Sequence, residues 1–238
     1  AARAARSFGG AGRWAIVGGG VGAGPPGGGV VSVTSGLAEA VGSGAGRAGS
    51  ATLRAVGTAT PGVEEEQSVL GAQMARIWGL RGSRLERWER IVRGTGIEAG
   101  CAVRAVESIV AAATSERMRI YKEEGPGLAA EAAGRALARA GVGAEEITDL
   151  IVVSCTGFSA PGVDAALVTR LGLSTSVRRT IVGFMGCFGA ISGLRTAVGA
   201  CSADPGGAAL VVCVELCSLH IRPEADVDNQ IASALFAD

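Results

Sequence analysis

The chain is short of the residues on which several kinds of protein depend. It holds one histidine, His220, and no C-x-x-C pair, so the usual zinc ligand sets are missing and no metal site is expected. No apolar run approaches the ~18 uncharged residues of a membrane-spanning helix. Neither charge sign is in excess: basic and acidic side chains number 22 each, which leaves no electrostatic footprint for nucleic acid or an anionic membrane. No secretory signal with a clear apolar core precedes the cysteines. The 6 cysteines in 238 residues are too sparse for a disulfide-stapled domain. Reduced thiols in a cytoplasmic protein are therefore expected.

What is present is enough apolar sequence, 48% of residues, to bury one large domain or two small ones. Glycine is abundant, at 39 residues, and unevenly spread. Residues 1–50 are Gly/Ala-rich, with Arg3, Arg6, Arg13 and Arg47 against a single acid, Glu39. They hold no sustained amphipathic pattern and are expected to form a disordered leader. An organelle transit segment, translated upstream sequence and a mis-set start are all compatible with it, and there is no initiator Met. Within it, Ala15 to Ala23 imitates a dinucleotide-binding glycine fingerprint. The Gly24-Pro25-Pro26-Gly27 that follows cannot open the helix such a motif needs, so a low-complexity reading is preferred.

From residue 51 the pattern is α/β. Leu53–Val56 reads as a strand. Ser68–Trp78 reads as a helix with Val69, Ala72 and Ile77 on its apolar face. Ser83 is placed as the cap of a second helix, with Glu86 reaching back to it. An alanine-rich helix runs over 127–140 and stops at Gly141. Ile151–Ser154 and Ala208–Cys213 are continuous apolar strands of the type buried on both faces, and Val163–Leu171 is a helix. This alternation predicts a mostly parallel or mixed sheet with helices on both sides.

The most informative stretch is Ile181-Val182-Gly183-Phe184-Met185-Gly186-Cys187-Phe188-Gly189-Ala190. It reads as a strand, a glycine turn, and a cysteine in the first turn of a helix. Free backbone N–H groups and the positive end of the macrodipole favour the anionic form of a thiol there. They also offer an oxyanion hole for a thioester carbonyl. The following helix is expected to bury Ile191, Leu194, Ala197, Val198 and Cys201. Cys201 and Cys213 read as core residues, and Cys155 and Cys217 follow strands, where loops carry ligand contacts.

Four separated motifs in register then become recognisable. They are Ser154-Cys155-Thr156-Gly157-Phe158-Ser159-Ala160-Pro161-Gly162-Val163-Asp164, Gly183-Phe184-Met185-Gly186-Cys187, Val211-Val212-Cys213-Val214-Glu215-Leu216-Cys217-Ser218 and Ser233-Ala234-Leu235-Phe236-Ala237-Asp238. Together they resemble a type III polyketide synthase of the chalcone and stilbene synthase family, in wording closer to bacterial-type members. The resemblance runs from about residue 51 to the end. It implies a thiolase-like fold, an internally duplicated α/β/α/β/α sandwich acting as a homodimer, of which residues 51–238 supply the N-terminal half.

The resemblance also implies the chemistry. A starter acyl group passes from coenzyme A to Cys187, and the enolate of decarboxylated malonyl-CoA attacks that thioester. Coenzyme A thioesters enter as substrates, and no permanently bound cofactor is implied. Phe236 matches the gatekeeper phenylalanine; Cys155, Cys217 and His220 match cavity-lining positions. Ala160 matches the residue that reaches across the dimer interface. Arg87 and Arg90 match basic positions that hold coenzyme A phosphates, although a third such position falls on Gly94, beside Arg93.

The family's later histidine and asparagine, which polarise the thioester and stabilise the malonyl enolate, have no counterpart up to Asp238. The chain is therefore expected to be a fragment, poorly stable and inactive on its own. An initiating β-ketoacyl synthase, a hydroxymethylglutaryl-CoA synthase-like enzyme, and a non-catalytic thiolase-fold remnant that dimerises or binds acyl-CoA are the competing readings.

Overall fold

The computed structural model describes residues 13–18, 51–62, 64–204, 206–236 and 238. Its strands are β1 Arg13–Gly18, β2 Thr52–Thr58, β3 Glu65–Glu66, β4 Ala99–Gly100, β5 Ile147–Ser154, β6 Arg178–Gly183 and β7 Ala208–Cys213. Its helices are α1 Gln67–Ile77, α2 Ser83–Gly94, α3 Val106–Ala111, α4 Thr114–Ala140, α5 Val163–Leu171, α6 Gly189–Ala203 and α7 Val227–Leu235. Five strands form one sheet in the order β2-β1-β7-β5-β6, every pairing parallel. The short β3 and β4 pair separately and antiparallel.

β5 and β7 are apolar at successive positions because each face of the sheet is covered. Leu150, Val152, Leu210 and Val212 pack against α4 and α5, while Ile151, Val153, Ala209 and Val211 pack with Ala197 and Cys201 of α6. Full burial of one such aliphatic side chain contributes about 1.5–3 kcal/mol. Four buried alanines of α4, Ala129, Ala132, Ala133 and Ala136, let that helix lie close on the sheet. On the other side glycine allows a close approach as well. A Cβ at Gly193 of α6 would stand 2.8 Å from Val153 Cγ2 and 3.2 Å from Val211 Cγ1, so only glycine fits. The result is three layers, helix, sheet and helix: one half of the expected five-layered sandwich.

A smaller cluster joins α1, α2, α3 and α7. Trp78 and Trp88 meet edge to face at 5.1 Å, and the Trp88 indole donates to Gly71 O at 2.7 Å.

Several expectations are corrected. Residues 13–18, placed in the disordered leader, form β1 between β2 and β7, so a boundary at residue 51 cuts through the sheet. A strand does precede the glycine-rich imitation of a nucleotide motif, but its remaining residues, 19–23, and the rest of the leader lie outside the described residues. α4 starts at Thr114, not near residue 127, and carries Pro126 buried within it. The buried face of α1 is Gly71, Met74 and Ala75, whereas Val69 and Ala72 are exposed. Ser83 is the first helical residue of α2. Gly82 is the cap and supplies no side-chain bond. In α6, Ile191 faces outward, and Gly189, Gly193, Ala197 and Cys201 face the sheet.

Candidate active site

Because β5, β6 and β7 run parallel and side by side, their carboxyl ends share one edge, where open α/β sheets bind ligands. The segments leaving that edge carry Cys155, Cys187 and Cys217. Cys187 sits in a 3₁₀ turn, Gly186–Phe188, that runs directly into α6, and it is exposed. The turn is made by left-handed backbone at Phe184 (φ 58°) and Gly186 (φ 60°). At Phe184 that conformation costs about 1–3 kcal/mol. The Phe184 side chain is 85% exposed, so its packing within this chain does not offset the strain. Ile181, Met185, Phe188 and Ile191 are also exposed, giving the sulfur an apolar surround open to the outside.

Cys155 is held differently. Glu215, two residues beyond β7, accepts Cys155 N–H at 3.0 and 3.1 Å, Thr156 N–H at 3.0 Å and the Thr156 hydroxyl at 2.6 Å. The Cys155 thiol donates to Glu215 Oε1 at 3.3 Å. Thr156 Oγ1 accepts Leu216 N–H at 2.8 Å, so its own hydrogen is left for Glu215. His220 Nε2 lies 2.7 Å from Thr156 O; a carbonyl only accepts, so that ring nitrogen carries hydrogen and is not a free base. Below this brace the Tyr121 hydroxyl donates to Ser154 Oγ at 2.6 Å, and its ring lies flat on Gly157. A Cβ at Gly157 would sit 2.1 Å from Tyr121 Cγ.

Burial, then the hydrogen bond to Glu215 and the Glu215 charge, push the Cys155 thiol up to about 11, with Cys187 adding to the rise and the Gly186 backbone opposing it. Burial and Glu215 push Cys213 up to about 11. Cys217 is pushed up to about 12 by burial, then by Glu215, Asp238, Cys155 and Cys187. Next to Cys217, Ser218 is clamped by buried Asp238, which accepts its N–H at 2.6 Å and its hydroxyl at 2.5 Å, and also Val103 N–H at 2.8 Å.

The structure thus brings Cys155, Cys187, Cys217 and, through Thr156, His220 to one place. Ala160 lies exposed on the same post-β5 loop, joined to Pro161 by a cis peptide bond. Phe236 stands at the C-terminal end of α7, half exposed, lining a cavity of about 50 Å³ with Ser218 and Leu235. Arg87 and Arg90 are on α2, which packs on α1 and α7. Arg90 is exposed, and Arg87 is half-buried with a buried, unpartnered Nε. Arg93 lies 3.8 Å from Glu89. A groove of about 650 Å³ between α1 and α2, rimmed by Arg76, Arg81 and Arg93, is separate from the thiols. Neither Glu215 nor Asp238 is singled out as chemistry by the sequence pattern. The available signal was a carboxylate set immediately after, or within, an apolar run. Among the described residues no group of side chains could hold a metal ion.

With this geometry in view, residues 102–238 match the family described as chalcone and stilbene synthases, N-terminal domain. The chain belongs to that family. It is 43% identical over 123 residues to the alpha-pyrone synthesis polyketide synthase-like Pks18 of Mycobacterium tuberculosis, covering 52% of this chain and 31% of that protein. It is 29% identical over 202 residues to type III polyketide synthase C of Arabidopsis thaliana, covering 80% of this chain and 52% of that protein. Among solved structures, the C-terminal type III polyketide synthase domain of Steely1 from Dictyostelium superposes with a TM-score of 0.73 at 30% identity. That match covers 77% of this chain and 52% of the Steely1 chain. The fold of this chalcone and stilbene synthase domain is therefore thiolase-like. It spans about a third to a half of the length of these curated relatives.

Proposed function

We propose that the protein carrying this domain is an acyltransferase of polyketide biosynthesis. It loads a starter acyl group from coenzyme A onto Cys187 and extends it by decarboxylative condensation with malonyl-CoA. The observation that carries this reading is the contrast among the thiols at the sheet edge. Cys187 alone is exposed, at the head of a helix, while Cys155 is hydrogen-bonded and Cys217 is half-buried.

In this reading the Cys187 sulfur attacks the thioester carbonyl, the coenzyme A thiolate leaves, and backbone N–H groups of the turn stabilise the oxyanion between. Cys155, Cys217 and His220 line the cavity, and Phe236 gates it. Arg87 and Arg90 hold coenzyme A phosphates, with no resident cofactor. The exposed edge strand β6 and the apolar Phe158, Ile181, Phe184 and Phe188 support a second copy of the chain as partner, with Ala160 reaching toward it. Six free cysteines suit a reducing, cytoplasmic setting.

The test is to give the protein, at the full length of its relatives, a panel of acyl-CoA starters with malonyl-CoA and to measure product masses. Masses of starter plus successive two-carbon units, abolished by Cys187→Ala, are expected. Malonyl-CoA left unconsumed with every starter would overturn the reading.

A further inference from the structure

We infer that Glu215 keeps Cys187 the sole nucleophile at this edge by holding the neighbouring Cys155 as a neutral thiol. The inference rests on the reading of Cys187 as the acyl carrier and adds the residue that makes it selective.

Geometry carries the argument. Glu215 Oε2 takes the Thr156 hydroxyl hydrogen, because Thr156 Oγ1 already accepts from Leu216 N–H. Both carboxylate oxygens take Cys155 N–H, and Oε2 also takes Thr156 N–H. In each of these contacts Glu215 is the acceptor. The Cys155 sulfur, 3.3 Å from Oε1, must therefore keep its proton to make that contact. A neutral thiol is a poor nucleophile.

The other groups around Cys155 do not undo this. Cys187, on the segment after β6, and Cys217, after β7, bear no positive charge. Tyr121 of α4 gives its hydrogen to Ser154, and Asp238 faces Cys217. His220 gives its Nε2 hydrogen to Thr156 O. Among the described residues only the Gly186 backbone favours a Cys155 anion, and burial with Glu215 outweighs it.

The consequence concerns the acyl-enzyme. Cys155 lies within electrostatic reach of Cys187. As a thiolate it would attack the Cys187 thioester: a new C–S bond would form to Cys155, the bond to Cys187 would break, and Cys187 would leave as thiolate. The growing chain would then migrate to a sulfur that is not presented at the head of α6. With its proton shared with Glu215, Cys155 cannot start that exchange.

The experiment is pulsed iodoacetamide alkylation from about pH 6 to about pH 10, with the rate at each cysteine read by peptide mass spectrometry. In the unmodified chain Cys187 should be labelled at least about tenfold faster than Cys155 near pH 8. Glu215→Gln removes the charge and offers an N–H to sulfur. It should raise Cys155 labelling about tenfold and move its profile to lower pH. Thr156→Val loosens the same brace and leaves the charge; it should raise labelling at every pH without moving the profile. Equal labelling of Cys155 and Cys187 in the unmodified chain overturns the inference even if Glu215→Gln does not fold. An unmoved Cys155 profile in a folded Glu215→Gln overturns it as well. If acyl-CoA fails to acylate Cys187 while Cys155 is protected and Glu215→Gln releases it, the proposed function fails and the Glu215 assignment stands.

Discussion

Asp149 and Arg178 stand opposite one another in the β5–β6 register, and the Arg178 guanidinium donates to the Asp149 carboxylate from Nε at 2.8 Å and from Nη2 at 2.6 Å. This fork pins edge strand β6 to β5, and with it the turn that presents Cys187. Burial alone would raise the Asp149 carboxyl, but hydrogen bonds from Arg178 and Thr148 outweigh it and hold the group below its ordinary value. The native state therefore binds this proton less readily than the unfolded chain. The stability so gained is complete above about pH 4 and is lost as pH falls through the lower native value. Asp149→Asn should lower the melting temperature at neutral pH, and the gap to the unmodified chain should close on acidification below about pH 4. Melting curves of both proteins over that range check it.

Asp238 should show the opposite slope. Burial raises its carboxyl above the ordinary value, and the hydrogen bonds from Ser218 and Val103 offset this only in part. Here the native state binds the proton more readily. The linked stability is complete below about pH 4 and is lost as pH rises through the raised native value. The stability of the unmodified chain relative to Asp238→Asn should fall as pH rises past that point. Asp238→Ala strips three buried donors of their acceptor and should cost about 2–4 kcal/mol in denaturant titration.

The seat of α6 on the sheet makes a third prediction. Gly193→Ala places a methyl group 2.8 Å from Val153 Cγ2, and this overpacking should cost about 1–3 kcal/mol. Val153→Ala also costs stability by itself, by opening a cavity. The double variant should recover part of the loss, so that the two changes are clearly non-additive in denaturant titration.

Much of this architecture was legible because two-sided burial writes itself into a strand. β7 is apolar throughout and β5 is apolar from Leu150 to Val153, and α5 has the bounds read from sequence. The misses have physical causes. Gly125-Pro126-Gly127 looks like a break, yet packing carries α4 through it. β1 is a short apolar run beside a glycine-rich stretch, and its place in the sheet depends on pairing with strands far away in sequence. In α1 the apolar Val69 and Ala72 do not mark the buried face, which is Gly71, under the Trp88 indole, with Met74 and Ala75. At the site, Cys187 could be singled out because the turn that exposes it is local. The brace between Glu215 and Cys155 joins residues 60 positions apart and exists only once two strand ends meet.

The most direct test of the account is the location of the acyl group. The protein is mixed with an acyl-CoA, quenched in acid, digested and read by peptide mass spectrometry. The account predicts an acyl adduct on the peptide bearing Cys187, with one coenzyme A released per adduct and no adduct in Cys187→Ala. An adduct that persists in Cys187→Ala, or that forms on Cys155 or Cys217 while Cys187 stays free, would contradict it.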